Sequence, residues 1–265
     1  MSLKVEGLQF AYRGWKVLKG VDFSLTQGKL VCILGKNGAG KTTLFRCILS
    51  MLHNYEGQIL IHDKNVKNCT IRELADSIAY IPQVHSAIYN FSVMDMVLMG
   101  TTAAMSTFGT PGKREYRNAQ LALQMVHIEY LEHRTFGHIS GGEQQMVLIA
   151  RAIAQQAKIL IMDEPCASLD YGNQIRIMEM AKSLAGQGYL ILQSTHNPEH
   201  ALLYADEVMV LDEGRISHYG EPNEVLTEKV LGHIYGVDIS LCDTGWNHKK
   251  VCVPSQTNQM KGERK

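Results

Sequence analysis

Apolar residues recur at two different spacings along this chain, and the change from one to the other divides it. Residues 3–10 and 17–25 carry short apolar alternations separated by Arg13-Gly14, a pattern that predicts two paired strands. After Gln27-Gly28-Lys29, the run Leu30–Leu34 is continuously apolar, as a strand buried on both faces must be. Glycines and a helical pattern over Thr42–Leu52 follow, then strand patterns at 58–62 and 77–81, the second stopped by Pro82. From about 84 to 155 the texture changes: apolar residues fall at helical spacing in 92–99, 115–127 and 142–154, and strand signals almost vanish. This predicts a helical insertion over 84–155, with its least regular part at 100–114, where Gly100, Gly109, Pro111 and Gly112 mark a loop. Strand and helix then alternate: Ile159–Met162, a helix at 173–185, Tyr189–Gln193, a helix at 198–204, and Val208–Leu211. Such alternation predicts an α/β fold with a mostly parallel sheet covered by helices. Beyond residue 240 the periodicity is lost. Residues 241–265 read most simply as a solvated tail, with Lys249, Lys250, Lys261, Arg264 and Lys265 set against Asp243 and Glu263, while packing on the sheet domain or an extended dimer contact stays open.

Composition narrows the classes. The 265 residues include 45% hydrophobic ones, enough for a sizeable core and too many for disorder. Lys+Arg 26 balance Asp+Glu 26, which removes the bulk positive charge of a non-specific nucleic-acid binder, so no nucleic-acid partner is expected. No stretch approaches the roughly 18 apolar residues of a membrane span, and the N-terminus lacks the apolar core of a signal peptide; a soluble, cytoplasmic chain is expected. The cysteines at 32, 47, 69, 166, 242 and 252 form no C-x-x-C pair and read as buried thiols in a reducing compartment. In the tail, Cys242, His248 and Cys252 offer three soft donors, but their spacing matches no zinc pattern and a fourth ligand is missing.

Gly35-Lys36-Asn37-Gly38-Ala39-Gly40-Lys41-Thr42 fits G-x-x-x-x-G-K-[ST] and lies between a predicted strand and a predicted helix. Glycines there let successive N–H groups turn inward onto phosphate oxygens at a helix N-terminus. Lys41 is placed to reach the β and γ phosphates of a nucleotide, and the Thr42 hydroxyl to ligate Mg²⁺. Downstream, Ile159-Leu160-Ile161-Met162 buries a strand and delivers Asp163 and Glu164 at its C-terminal end, where ligands of open α/β sheets collect. Asp163 suits Mg²⁺ through its water shell, and Glu164 suits polarising an attacking water. Two acids at a strand end are common, and they carry weight here because a phosphate loop precedes them.

Between these elements, Ser140-Gly141-Gly142-Glu143-Gln144-Gln145 opens a helix, and this run resembles the signature motif of ABC-type ATPases. The resemblance covers about residues 3–235. It implies a P-loop NTPase of the ABC-ATPase fold over 1–240: a core and an N-terminal antiparallel β subdomain in 1–83 and 156–240, and an α-helical subdomain in 84–155. It implies ATP and Mg²⁺ as cofactors and contacts to the nucleotide from the loop residues Gly35 to Thr42, with Thr43 beside them. It also implies that ATP lies between two copies of the chain, with Ser140, Gly141 and Gly142 of one facing the γ-phosphate held by the other. Tyr12 matches the aromatic residue that stacks on adenine, with Trp15 close enough to compete. Gln83 matches the glutamine that touches Mg²⁺ and senses the transport partner, Asp170 lies in the loop linking the two sites, and His196 matches the histidine that contacts the γ-phosphate. Glu164, His196 and Gln83 form the implied catalytic set. Lys36, Met146, Cys166 and Asn197 depart from the usual residues without removing a phosphate or metal group.

The same resemblance implies partners. Ser92–Gly100 and Ser168–Gln174 are similar to importers of iron–siderophore, haem and cobalamin type, a group with molybdate and tungstate relatives. The expectation is an ATP-hydrolysing importer subunit on the cytoplasmic face of the membrane. It would work as a homodimer with two membrane-spanning permease subunits and, indirectly, an extracytoplasmic substrate-binding protein. The alternative is a soluble ATPase of an assembly complex, such as iron–sulfur cluster assembly.

Overall fold

Two antiparallel strands open the chain, β1 (Leu3–Tyr12) and β2 (Trp15–Leu25), joined at Arg13-Gly14 with Tyr12 opposite Trp15. The computed structural model describes residues 2–83, 90–104, 109–245 and 249–255. β3 (Leu30–Leu34) is buried throughout and runs into the glycine loop and α1 (Lys41–Ile48). β4 (Glu56–Ile61) and the two-residue β5 (Lys64–Asn65) pair beside β1, giving an antiparallel sheet in the order β2-β1-β4-β5. α2 (Ile71–Ser77) and β6 (Ile78–Ile81) lead to Gln83.

The helical insertion is built from α3 (Val93–Leu98), α4 (Lys113–Met125) and α5 (Gly141–Ala154). Local sequence fixes where α2, α3 and α5 start. Thr70, Ser92 and Ser140 each cap a helix and donate their own backbone N–H in return to the carboxylates of Glu73, Asp95 and Glu143 three residues on. Part of this expected insertion, 84–89 and 105–108, lies outside the described residues. The core resumes with β7 (Ile159–Asp163), α6 (Tyr171–Gly186), β8 (Leu190–Ser194), α7 (Pro198–Tyr204), β9 (Glu207–Asp212) and β10 (Arg215–Gly220). The large sheet has the order β10-β9-β3-β8-β7-β6; neighbours from β9 to β6 are parallel, and β10 returns antiparallel on the edge. One face of this sheet, through Leu160, Met162 and Ile191, packs in a continuous apolar cluster with the helical insertion; the opposite face, through Ile33, Ile161 and Leu192, packs with the antiparallel sheet and α1.

The C-terminal region departs from expectation. α8 (Pro222–Val225) and α9 (Glu228–Tyr235) are followed by a hairpin, β11 (Ile239–Asp243) and β12 (Lys250–Pro254), so the expected boundary at 240 falls inside a strand. Ile239, Leu241 and Cys252 pack against the cluster of Cys32, Leu34, Ala201, Leu202, Leu231 and Ile234. The reading of 241–255 as solvated is therefore corrected: alternate positions of a short hairpin are anchored on the fold. Lys261, Arg264 and Lys265 lie outside the described residues, as does His248.

The hairpin register also separates two of the three soft donors. Cys242 faces Val251 and Cys252 faces Leu241, so adjacent ladder positions send the thiols to opposite faces. Among the described residues no group of three His, Cys, Asp or Glu is placed to share a metal ion. The expectation of six buried thiols is corrected as well. Cys32, Cys47 and Cys166 are buried, Cys69 and Cys252 half-buried, and Cys242 exposed. Burial pushes the Cys47 and Cys166 thiols up to about 12, which leaves them as unreactive core residues.

Candidate active site

The glycine loop leaves the C-terminal end of β3, and packing dictates its residue types. A Cβ on Gly35 would sit 2.2 Å from the Leu211 carbonyl oxygen, so only glycine fits where the loop passes β9. Gly40 adopts φ 109 at the N-cap of α1. It supplies no side-chain cap, and the first turn of α1 contributes no acid of its own, so no side chain of α1 competes with an anion for its first N–H groups. Lys41 curls back under the loop. Its buried ammonium donates to the Gly35 carbonyl at 2.8 Å and to the Lys36 carbonyl at 3.3 Å. Burial pulls its pKa below the ordinary lysine value, and the nearby Glu164 and Asp163 charges oppose that shift. A phosphate in the loop would oppose it further.

Asp163, at the end of β7, is buried and both its oxygens are engaged: Thr42 donates to Oδ2 at 2.9 Å and Ser194 donates to Oδ1 at 2.7 Å. Thr42 and Asp163 thus meet from α1 and β7, as the sequence predicts. Their hydroxyl and carboxylate are hard oxygen donors and fit Mg²⁺. Ser194 is a site residue to which the sequence assigned no role. It stands opposite Asp163 in the parallel ladder and accepts the Glu164 N–H at 2.9 Å, so one hydroxyl fixes both acids. That pairing follows from register between strands some 30 residues apart, which no local motif displays.

Glu164 sits at φ 51, in the left-handed region, where a non-glycine residue costs about 1–3 kcal/mol and persists because its surroundings hold it. Its carboxylate gathers two further predicted residues. Gln83 donates through Nε2 to Oε2 at 2.6 Å, and His196 Nε2 pairs with Oε1. The structure therefore brings Lys41, Thr42, Gln83, Asp163, Glu164 and His196 into one linked cluster at the C-terminal ends of β3, β6, β7 and β8.

The other predicted residues form two further surfaces. Ser140, Gly141 and Gly142 start α5, and Asp170 caps α6 by accepting the Asn173 N–H at 2.9 Å. These two helix starts press together: a Cβ on Gly142 would lie 2.3 Å from the Asn173 side chain. The Ser140 hydroxyl is engaged with Glu143 in its capping box, at 2.7 Å as donor. Hydrogen bonds from the Asn173 backbone hold the Asp170 carboxyl below its usual range. Tyr12 is half-exposed and meets Phe10 edge to face at 4.8 Å, while Trp15 is 78% exposed. Both belong to the β1–β2 hairpin, whose Val17 and Leu18 abut Gly40.

The chain is similar to known proteins along most of its length. The family profile described as ABC transporter matches residues 18–167. An ABC transporter ATP-binding protein of Haemophilus influenzae is 42% identical over 235 residues, covering 89% of this chain and 89% of that protein. The molybdate import ATP-binding protein MolC of the same species is 32% identical over 236 residues, covering 88% of each. A solved ABC transporter chain, described as metal-chelate type and inward-facing, superposes with TM-score 0.84 at 30% identity, covering 96% of this chain and 97% of that one. With the glycine loop, the two acids of β7 and the Ser-Gly-Gly helix start in place, the chain belongs to the ATP-binding proteins of the ABC transporter family.

Proposed function

We propose that this chain is the ATP-hydrolysing subunit of an importer for a metal chelate or related metal oxyanion. The observation that carries the hydrolytic half is the Glu164 carboxylate, held by Gln83 on one oxygen and His196 on the other, directly after the Thr42–Asp163 pair. The glycine loop and Lys41 hold the β and γ phosphates, and Thr42, Asp163 and Gln83 hold Mg²⁺, which neutralises phosphate charge when bound. Glu164 orients and polarises the attacking water, and His196 places the γ-phosphate. Tyr12 or Trp15 stacks on the adenine. Ser140, Gly141 and Gly142 of a second copy close over the same phosphates, with Asp170 in the linking loop, so binding pulls two chains together and hydrolysis separates them. The 2.6 Å bond from Gln83 to Glu164 supports a role for Gln83 in reporting the partner's state to the hydrolytic group.

The partner reading rests on surface chemistry and on relatives. No helix among the described residues is long and apolar enough to cross a membrane. An apolar groove of about 300 Å³ between α1 and α2 is lined by Ile48, Met51, Cys69, Ile71, Leu74 and Ile78, and Ile71 is 88% exposed. We assign it as the seat of a short helix from one membrane-spanning subunit, the second copy of the chain seating the other subunit, because Ile78 begins the strand that leads to Gln83. The chain then works at the cytoplasmic face of the membrane, served indirectly by an extracytoplasmic binding protein. The metal-chelate type of one similar structure and the molybdate import of one relative support this cargo class. Isolation from solubilised membranes tests this reading. A multi-span partner should co-purify, and Ile71→Asp should weaken its recovery by about tenfold or more. Recovery only in a soluble complex would favour an assembly ATPase.

A further inference from the structure

The C-terminal elements grip α7 at both of its ends, and α7 begins two residues after His196. At the start of α7, the Tyr235 hydroxyl, on the last residue of α9, donates to the His196 carbonyl at 2.8 Å. At its far end, Lys249 Nζ donates to the Leu202 carbonyl at 3.4 Å, where helix carbonyls lack intrahelical partners. The two grips are joined. Glu228 Oε1 of α9 accepts the Leu241 N–H of β11 at 2.8 Å, β12 packs along α7, and Ile239, Leu241, Tyr235 and Cys252 share one apolar cluster with Ala201 and Leu202. Burial, with a smaller contribution from Cys252, raises the Tyr235 hydroxyl far above its ordinary value, so it remains a donor across the working pH range.

We propose that α9 and the β11–β12 hairpin form a brace that sets the His196 backbone, with Tyr235 as a positioning residue for hydrolysis. The physical case is leverage. His196 lies on a three-residue connection, 195–197, between a buried strand and a short helix. Thr195 fixes one side of that connection from within, through its backbone bond to Ile33 and its hydroxyl contact with the His200 ring at 3.1 Å. Tyr235 fixes the His196 peptide itself from a different element. Its loss leaves that peptide held at its N–H end, where Asn197 donates to the Thr195 hydroxyl at 3.1 Å, and releases its carbonyl end, so the imidazole beside it can shift from Glu164 Oε1. Tyr235 touches neither nucleotide nor metal in this scheme and acts only through His196. The brace rests on the phosphate role proposed above for His196, and it goes beyond that role by giving the C-terminal hairpin a function in the hydrolytic step.

The test is ATP turnover by the full-length chain as wild type, Tyr235→Phe, His196→Ala and the double variant, with KM and thermal midpoint measured for each. Tyr235→Phe keeps the ring and its packing and removes only the donor. It should lower kcat about fivefold to tenfold, the scale of one hydrogen bond, with KM for ATP unchanged and the thermal midpoint lowered by only about 2–4 °C. In the His196→Ala background the same change should have no further effect on residual turnover, because the group it positions is gone. Equal losses in both backgrounds, or full turnover by Tyr235→Phe beside an inactive His196→Ala, would overturn the brace and leave the role of His196 standing. Wild-type turnover by His196→Ala would instead overturn that role, and the brace with it. Lys249→Ala provides an independent arm at the other grip and should lower kcat in the same direction; no change in kcat there would remove the hairpin from the brace.

Discussion

Lys41 and Asp163 are buried charges whose partners are mostly neutral dipoles, and a bound nucleotide with its cation would balance both. Lys41→Ala should therefore lower ATP hydrolysis by about a hundredfold to a thousandfold, the cost of removing a preorganised donor from developing phosphate charge; steady-state phosphate release measures it, and near-normal turnover contradicts the loop assignment. Gly35→Ala should reduce stability by about 1–3 kcal/mol in urea unfolding, because a methyl cannot occupy space 2.2 Å from the Leu211 carbonyl oxygen. His200 gives the pH dependence. Burial lowers its pKa, so the folded chain favours the neutral ring while the unfolded chain takes up a proton below about pH 6.5. Its contribution is fully present above that pH and is lost as pH falls through the lower folded value. The drop in thermal midpoint between pH 7.5 and pH 5.5 should be smaller in His200→Gln than in the wild type; an equal drop would exclude His200 as a source of acid sensitivity. Lys41, Thr42, Asp163 and Glu164 were legible in the sequence because their chemistry is set by local spacing. Ser194 and Tyr235 were not, since one acts through strand register and the other through a contact with a residue 39 positions away.

At the scale of elements, continuous apolar runs announced β3, β7 and β8, and strict helical spacing announced α5. α2 escaped that reading because it buries no residue. Its capping box, Thr70 with Glu73, is the signal that could have revealed it. The β11–β12 hairpin escaped for a related reason: none of its residues is fully buried, and cysteines, lysines and a serine dilute its apolar pattern. Its attachment can be measured. Leu241→Asp places a charge against the cluster of Ala201, Leu202 and Ile234 and should destabilise the chain by about 1–3 kcal/mol. A lower urea midpoint with an unchanged slope is the expected result, and an unchanged midpoint would return this segment to the status of a solvated tail.

For the whole molecule, the residues matched to the family fall on a phosphate surface at the ends of β3, β7 and β8 and a signature surface at the starts of α5 and α6. The sequence already places them on different elements, and the fold adds which strand ends and which helix starts share each surface. The helical insertion shares one apolar cluster with the sheet face under Asp163, so force applied to either is transmitted through packed side chains. The central claim is that ATP joins the phosphate surface of one chain to the signature surface of another, with Glu164 acting in hydrolysis more than in binding. Its most direct test is the mass of purified Glu164→Gln with saturating ATP and Mg²⁺, measured by gel filtration with light scattering. A stable dimer that dissociates when ATP is withdrawn is the predicted result; a species that remains monomeric with ATP bound would contradict the account.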